Sequence, residues 1–125
     1  MRRLRILLVD DSRAFVEELA ARLSSLSQVE VVGVAHSGQA ALDLFDERAA
    51  DLVLMDLAMP GMNGIQATRA LKARGEAPRV WIVTLQDDSI SRSLALAAGA
   101  DQFVPKPLLL ERLLEVLPRG AGPEA

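Results

Sequence analysis

The residues that could do chemistry stand at four places: the adjacent acids Asp10 and Asp11, the single acid Asp56, the hydroxyl of Thr84 and the ammonium of Lys106. Each closes an apolar run. Clustered carboxylates repel one another unless a cation sits among them. Oxygen ligands from Asp, with no His or Cys beside them, favour Mg²⁺ or Mn²⁺ over zinc. A lysine and a threonine near such a cluster can hold phosphoryl oxygens, one as a charge and one as a hydrogen-bond donor. A carboxylate beside a metal can also act as a nucleophile and form an aspartyl-phosphate. This chemistry requires that all four places meet.

The elements that would bring them together are readable as periodicity. The central stretch is Leu52-Val-Leu-Met-Asp56-Leu-Ala-Met-Pro-Gly-Met-Asn-Gly64. Its run Leu52 to Met55 has no alternation, as in a parallel strand covered on both faces. Leu4 to Val9, Val29 to Val34, Val80 to Thr84 and Gln102 to Lys106 read as the other strands. Between them lie helix patterns. Ser12 or Asp11 can cap a helix with Phe15, Leu19, Leu23 and Leu26 as its apolar stripe. Ser37 can cap one through Ala41, Leu42 and Phe45, and Ile65 to Arg74 reads as a short helix before Gly75. Asp88 or Ser89 starts another, which Gly99 closes, and Leu108 to Leu117 is the last, stopped by Pro118. Five strands alternating with helices imply a doubly wound α/β fold with one five-stranded parallel sheet. Parallel strands end on a common rim, and ligands bind at that rim.

The bulk numbers narrow the class. The chain has 125 residues, enough for one domain, expected over 1–118, with 119–125 as a linker stub or frayed tail. Its net charge of −3 argues against direct, non-specific nucleic-acid binding. It has no cysteine, which fits a reducing cytoplasm. The apolar run after Arg5 meets Asp10 too soon for a signal peptide or a membrane span.

These pieces, taken together, resemble the receiver domain of two-component response regulators, the CheY-like superfamily. The matching motifs are Leu8-Val-Asp10-Asp11-Ser, Leu54-Met-Asp56-Leu-Ala-Met-Pro-Gly-Met-Asn-Gly64, Thr84 after a buried strand, and Ala98-Gly-Ala-Asp-Gln-Phe103-Val-Pro-Lys106-Pro107. They span nearly the whole chain. The resemblance implies a flavodoxin-like sheet of strand order 2-1-3-4-5. It implies that Asp56 accepts a phosphoryl group from a sensor histidine kinase. Asp11 and Asp56 would bind Mg²⁺ directly, Asp10 largely through water, and the backbone carbonyl of Ala58 would complete the protein ligands. Lys106 would contact the carboxylate and then the phosphoryl oxygens. Thr84 would turn toward the phosphoryl group, and Phe103 would move into the space Thr84 leaves. Lys106-Pro107 would be a cis peptide. The face made by the helix from Ser89, the Phe103 strand and the last helix would dock partners or a second copy.

Some positions depart from the family pattern. Leu85 stands where a small residue is usual, and is expected to narrow access to the site. Ala58 and Gln86 occupy positions that tune hydrolysis in the family. Pro105 lacks a backbone donor, which suits an edge strand. His36, the single histidine, is expected beside a helix cap, and Trp81 in the core. The region Val29 to Gly38 is weakly similar to receivers that precede a helix-turn-helix output; a stand-alone chain and an isolated domain both remain open. The alternative function is a pseudo-receiver, a constitutive protein-interaction module, against which the full set of key residues weighs. A metal-dependent phosphatase would want Asp-x-Asp after the first strand, and the acids here are adjacent. No Gly-x-Gly-x-x-Gly follows a strand, which disfavours a dinucleotide site.

Overall fold

The computed structural model describes residues 2–117. Five strands, β1 (Leu4–Val9), β2 (Val29–Ala35), β3 (Leu52–Asp56), β4 (Arg79–Thr84) and β5 (Gln102–Pro105), alternate with α1 (Arg13–Ser24), α2 (Gly38–Arg48), α3 (Gly64–Lys72), α4 (Ser89–Ala97) and α5 (Leu109–Val116). The strands form one parallel sheet in the order β2-β1-β3-β4-β5. That is the expected doubly wound, flavodoxin-like topology. The tail expected over 119–125 lies outside the described residues, as does Pro118.

The two-residue period of the inner strands sorts their side chains to opposite faces. Leu7, Val9, Val53, Met55, Val80, Ile82 and Phe103 pack with α2, α3 and Ala95 of α4. Ile6, Leu8, Leu52, Leu54, Trp81, Val83 and Val104 pack with Val16, Leu19 and Leu23 of α1 and with Leu109 and Leu113 of α5. β3 is buried along its whole length, because it is central and covered on both sides. β5, with Pro105, forms an edge, where a missing donor costs no ladder bond to a further strand.

Caps fix where the helices leave the rim. Ser12, Ser37, Asn63 and Asp88 each accept a bond from a backbone N–H in the first turn of the helix that follows. At α3 the bond is reciprocal, since Gln66 accepts from the Asn63 N–H.

The apolar stripe of α1 holds, and two other local expectations are corrected. The buried residues of α1 are Val16, Leu19 and Leu23, while Phe15 is half-buried and turned toward Lys106. Phe15 and Leu26 pack against the same core at partial burial, so the stripe is the expected one with Val16 added. α3 stops at Lys72, two residues before Arg74. Lys106–Pro107 is not cis: no cis peptide bond occurs among the described residues. Instead Lys106–Leu108 forms a 3-10 turn leading into α5, with Pro107 at its start. Proline's fixed φ suits that position, and its missing N–H is not needed there.

Candidate phosphoacceptor and metal site

The site is built at the carboxyl ends of β1, β3, β4 and β5. Asp10 follows the last residue of β1, and its backbone N–H donates to the Ala35 carbonyl of β2 at 3.1 Å. Its side chain is buried and accepts from the Ser12 N–H at 2.8 Å. Asp11 is exposed beside it. Asp56 ends β3 and is 7% exposed. One carboxylate oxygen from each of Asp10, Asp11 and Asp56 lies within 4.8 Å of the others. The Lys106 ammonium sits 2.8 Å from Asp10 Oδ2 and 3.7 Å from Asp56 Oδ1. Thr84 ends β4, buried, and its Oγ1 accepts from the Gln86 N–H at 2.8 Å. Asp10, Asp11, Asp56 and Lys106 therefore converge on one spot, with Thr84 on the neighbouring strand end.

The electrostatics are those of a site short of positive charge. Asp56 is pushed up to about 7, first by burial and next by the negative charge of Asp10. Lys106 opposes this, and Asp11 adds a smaller upward push by its charge and as a hydrogen-bond partner. Three acids and one ammonium leave the cluster net negative. An oxygen-only set this close fits a hard divalent cation, which would relieve the repulsion. Ala58 lies on the exposed part of the loop after β3, two residues from Asp56.

That loop is held tightly against the strand. The Gly64 N–H donates to the Leu57 carbonyl at 2.9 Å. A Cβ on Gly64 would lie 2.1 Å from the Asp56 carbonyl oxygen. No side chain fits there without moving the backbone of Asp56 itself. Gly64→Ala is therefore expected to lower stability by roughly 1 to 3 kcal/mol and to displace the carboxylate. Thermal unfolding together with Mg²⁺ titration checks both effects; an unchanged variant would mean that the loop yields freely.

The chain matches the family model described as response regulator receiver domain over residues 6–118. It belongs to that family. Response regulator MprA of Mycobacterium avium is 38% identical over 111 residues, which cover 89% of this chain and 48% of the relative. The chain thus spans about half the length of the curated relatives it matches. Among solved structures, the signal receiver domain of NarL from Mycobacterium tuberculosis superposes with a TM-score of 0.85 at 31% identity, over 92% of this chain and 96% of that one. A LuxR-family two-component response regulator from Aurantimonas gives 0.83 at 34% identity, over 90% and 83%. As a receiver domain, the chain is a two-component signalling module.

Other residues singled out in the sequence lie as follows. Phe103 is buried, with the Arg92 guanidinium 4.8 Å from its ring centroid. Arg92 also pairs with Asp87 at 2.9 Å, which ties α4 to the loop after Thr84. His36 Nδ1 is 3.1 Å from the Asp10 carbonyl oxygen, so it braces the rim at the expected cap. Trp81 is core. Leu85 is 77% exposed, one residue past Thr84. No helix among the described residues is long and apolar enough to cross a membrane. Phe15 packs against the core as the stripe predicts, and its ring also faces Lys106, a contact that the stripe does not reveal. Its position one helical turn past Asp11, at the rim end of α1, was the available signal.

Proposed function

We propose that Asp56 accepts a phosphoryl group from the phosphohistidine of a sensor histidine kinase. The observation that carries this reading is the meeting of Asp10, Asp11 and Asp56 within 4.8 Å, with the Lys106 ammonium in the same cluster. Asp11 and Asp56, Asp10 through water, and the Ala58 carbonyl would hold Mg²⁺, with Mn²⁺ as a substitute. That cation supplies the positive charge which lets the carboxylates ionise together and offsets charge on the phosphoryl oxygens. The phosphorus–nitrogen bond to the donor imidazole breaks as the bond from an Asp56 oxygen to phosphorus forms. The imidazole leaves with its electron pair and takes a proton from solvent. Lys106 turns from the carboxylates to a phosphoryl oxygen, and Thr84 gives up the Gln86 N–H to donate its hydroxyl there. Exchanging one such bond for another leaves little net cost, since each is worth about 1 kcal/mol. Phe103 and the neighbouring α4–β5–α5 face then shift, and partner binding or dimerisation through that face follows. Autodephosphorylation at the same site, a cytoplasmic location and an output domain beyond this chain belong to the same reading.

The test is incubation with acetyl phosphate and Mg²⁺, followed by intact-mass measurement. One added phosphoryl group is expected. No added mass would remove phosphoacceptance and leave the pseudo-receiver reading. Leu85 adds a second prediction. Leu85→Ala is expected to speed phosphorylation by small donors about two- to tenfold, on the reading that a branched side chain one residue past Thr84 narrows access. Equal initial rates for the two proteins would remove that role.

A further inference from the structure

We infer that Phe15 is a positioning residue for the Lys106 ammonium, holding it over the acidic cluster through the face of its ring; this rests on the proposed phosphoacceptor function. The Lys106 Nζ lies 4.3 Å from the Phe15 ring centroid. It lies at the same time 2.8 Å from Asp10 Oδ2 and 3.7 Å from Asp56 Oδ1. An ammonium has three N–H directions and accepts nothing. Its charge is held on one side by the Asp10 carboxylate, with Asp56 at a looser distance. The ring face attracts it on another side through its quadrupole, without supplying a lone pair that would compete for a proton.

Phe15 also stands between two spaces. On its outer side is a groove of about 370 Å³ between α1 and the Lys106–Leu110 segment, lined by Phe15, Glu18, Leu19, Arg22 and Lys106 among others. On its inner side is a void of about 10 Å³ that also touches Asp10 and Asp56. The lysine stem borders the open groove, and Glu18 there offers a competing carboxylate. A long lysine side chain with four rotatable bonds would otherwise sample that groove. The aromatic wall makes the inward rotamer the favoured one, and it keeps water off one side of the ammonium. The Lys106 side chain is only 13% exposed, although it lines a surface groove.

Two readouts test this. The chain has two lysines, Lys72 and Lys106, so the ε-methylene signals in a carbon–proton correlation spectrum are few and Lys72 is an internal reference. Ring current is expected to move the Lys106 ε-methylene upfield in the native protein. Phe15→Leu should return it toward the Lys72 position, and Phe15→Trp should keep it displaced. Phosphorylation by acetyl phosphate at saturating Mg²⁺ should slow roughly three- to thirtyfold in Phe15→Leu and be restored in Phe15→Trp. A general packing role would not separate leucine from tryptophan in this order. If Phe15→Leu fails to fold, Phe15→Met fills the space without a ring and replaces it. An undisplaced Lys106 signal in the native protein, or equal phosphorylation rates in folded ring-less variants, overturns the inference. If the native protein takes no phosphoryl group, the proposed function fails instead. The ε-methylene shift then decides the positioning role alone, upheld by displacement and overturned by its absence.

Discussion

Asp56→Asn is expected to abolish phosphorylation while leaving a folded domain. Asn keeps the shape of the side chain and removes the nucleophilic oxygen pair's charge. The rate with acetyl phosphate and Mg²⁺ should fall by on the order of 10³-fold or more, to the level of adventitious labelling. The neighbouring acids do not substitute. Asp10 is buried, with one oxygen accepting from the Ser12 N–H and the other against Lys106. Asp11 is exposed on the loop after β1, and the Lys106 ammonium pairs with Asp10 and Asp56. Intact mass and peptide mapping after labelling check this. A phosphoryl group retained by Asp56→Asn would move the acceptor elsewhere.

The second large effect is on stability, and its sign follows from proton binding. The folded, metal-free protein holds the Asp56 proton up to about pH 7, against 3.8 for an ordinary aspartate. Between those values the folded state binds more protons than the unfolded one, so stability falls as pH rises through this window. Above about pH 7 the full penalty is present. A shift of that size corresponds to at most about 4 kcal/mol, and about 2 to 4 is the expected range. Asp56→Asn should therefore be the more stable protein at pH 8 without metal, with the difference vanishing near pH 4. Saturating Mg²⁺ should restore the native protein at pH 8, by about 2.7 kcal/mol at about 100 times the dissociation constant. Urea unfolding at several pH values, with Mg²⁺ and with a chelator, measures all three. A native protein whose metal-free stability is flat from pH 5 to pH 8 would show that burial and Asp10 do not hold the Asp56 proton.

Both effects trace to where the acids sit, and that much is legible in the sequence. An apolar run broken by an acid marks the place where a buried parallel strand surfaces. Such places share a rim because each helical crossover returns the chain to the starting end of the sheet, so that parallel strands finish together. Asp10, Asp56, Thr84 and Lys106 can thus be assigned to one end of the sheet from order and hydropathy, while the strand order is what the resemblance to receiver domains implies. The caps at Ser12, Ser37 and Asp88 were readable for a similar reason, since a cap acts on the next few residues of its own helix.

What a linear pattern determined was therefore local: which runs are buried, where they stop, and which polar group stops them. Tertiary structure decided every relation between groups distant along the chain. Phe15 reads as part of the apolar stripe and does pack against the core, yet its ring also meets a lysine brought from the far end of the chain by β5. Gly64 reads as a turn glycine, yet it is confined because α3 begins against the Asp56 carbonyl. Pro107 sits in a turn that enters α5 rather than in a cis bond. The proton on Asp56 is likewise a collective property. Burial and two charges from another strand end raise it, and no neighbour in sequence could have announced that.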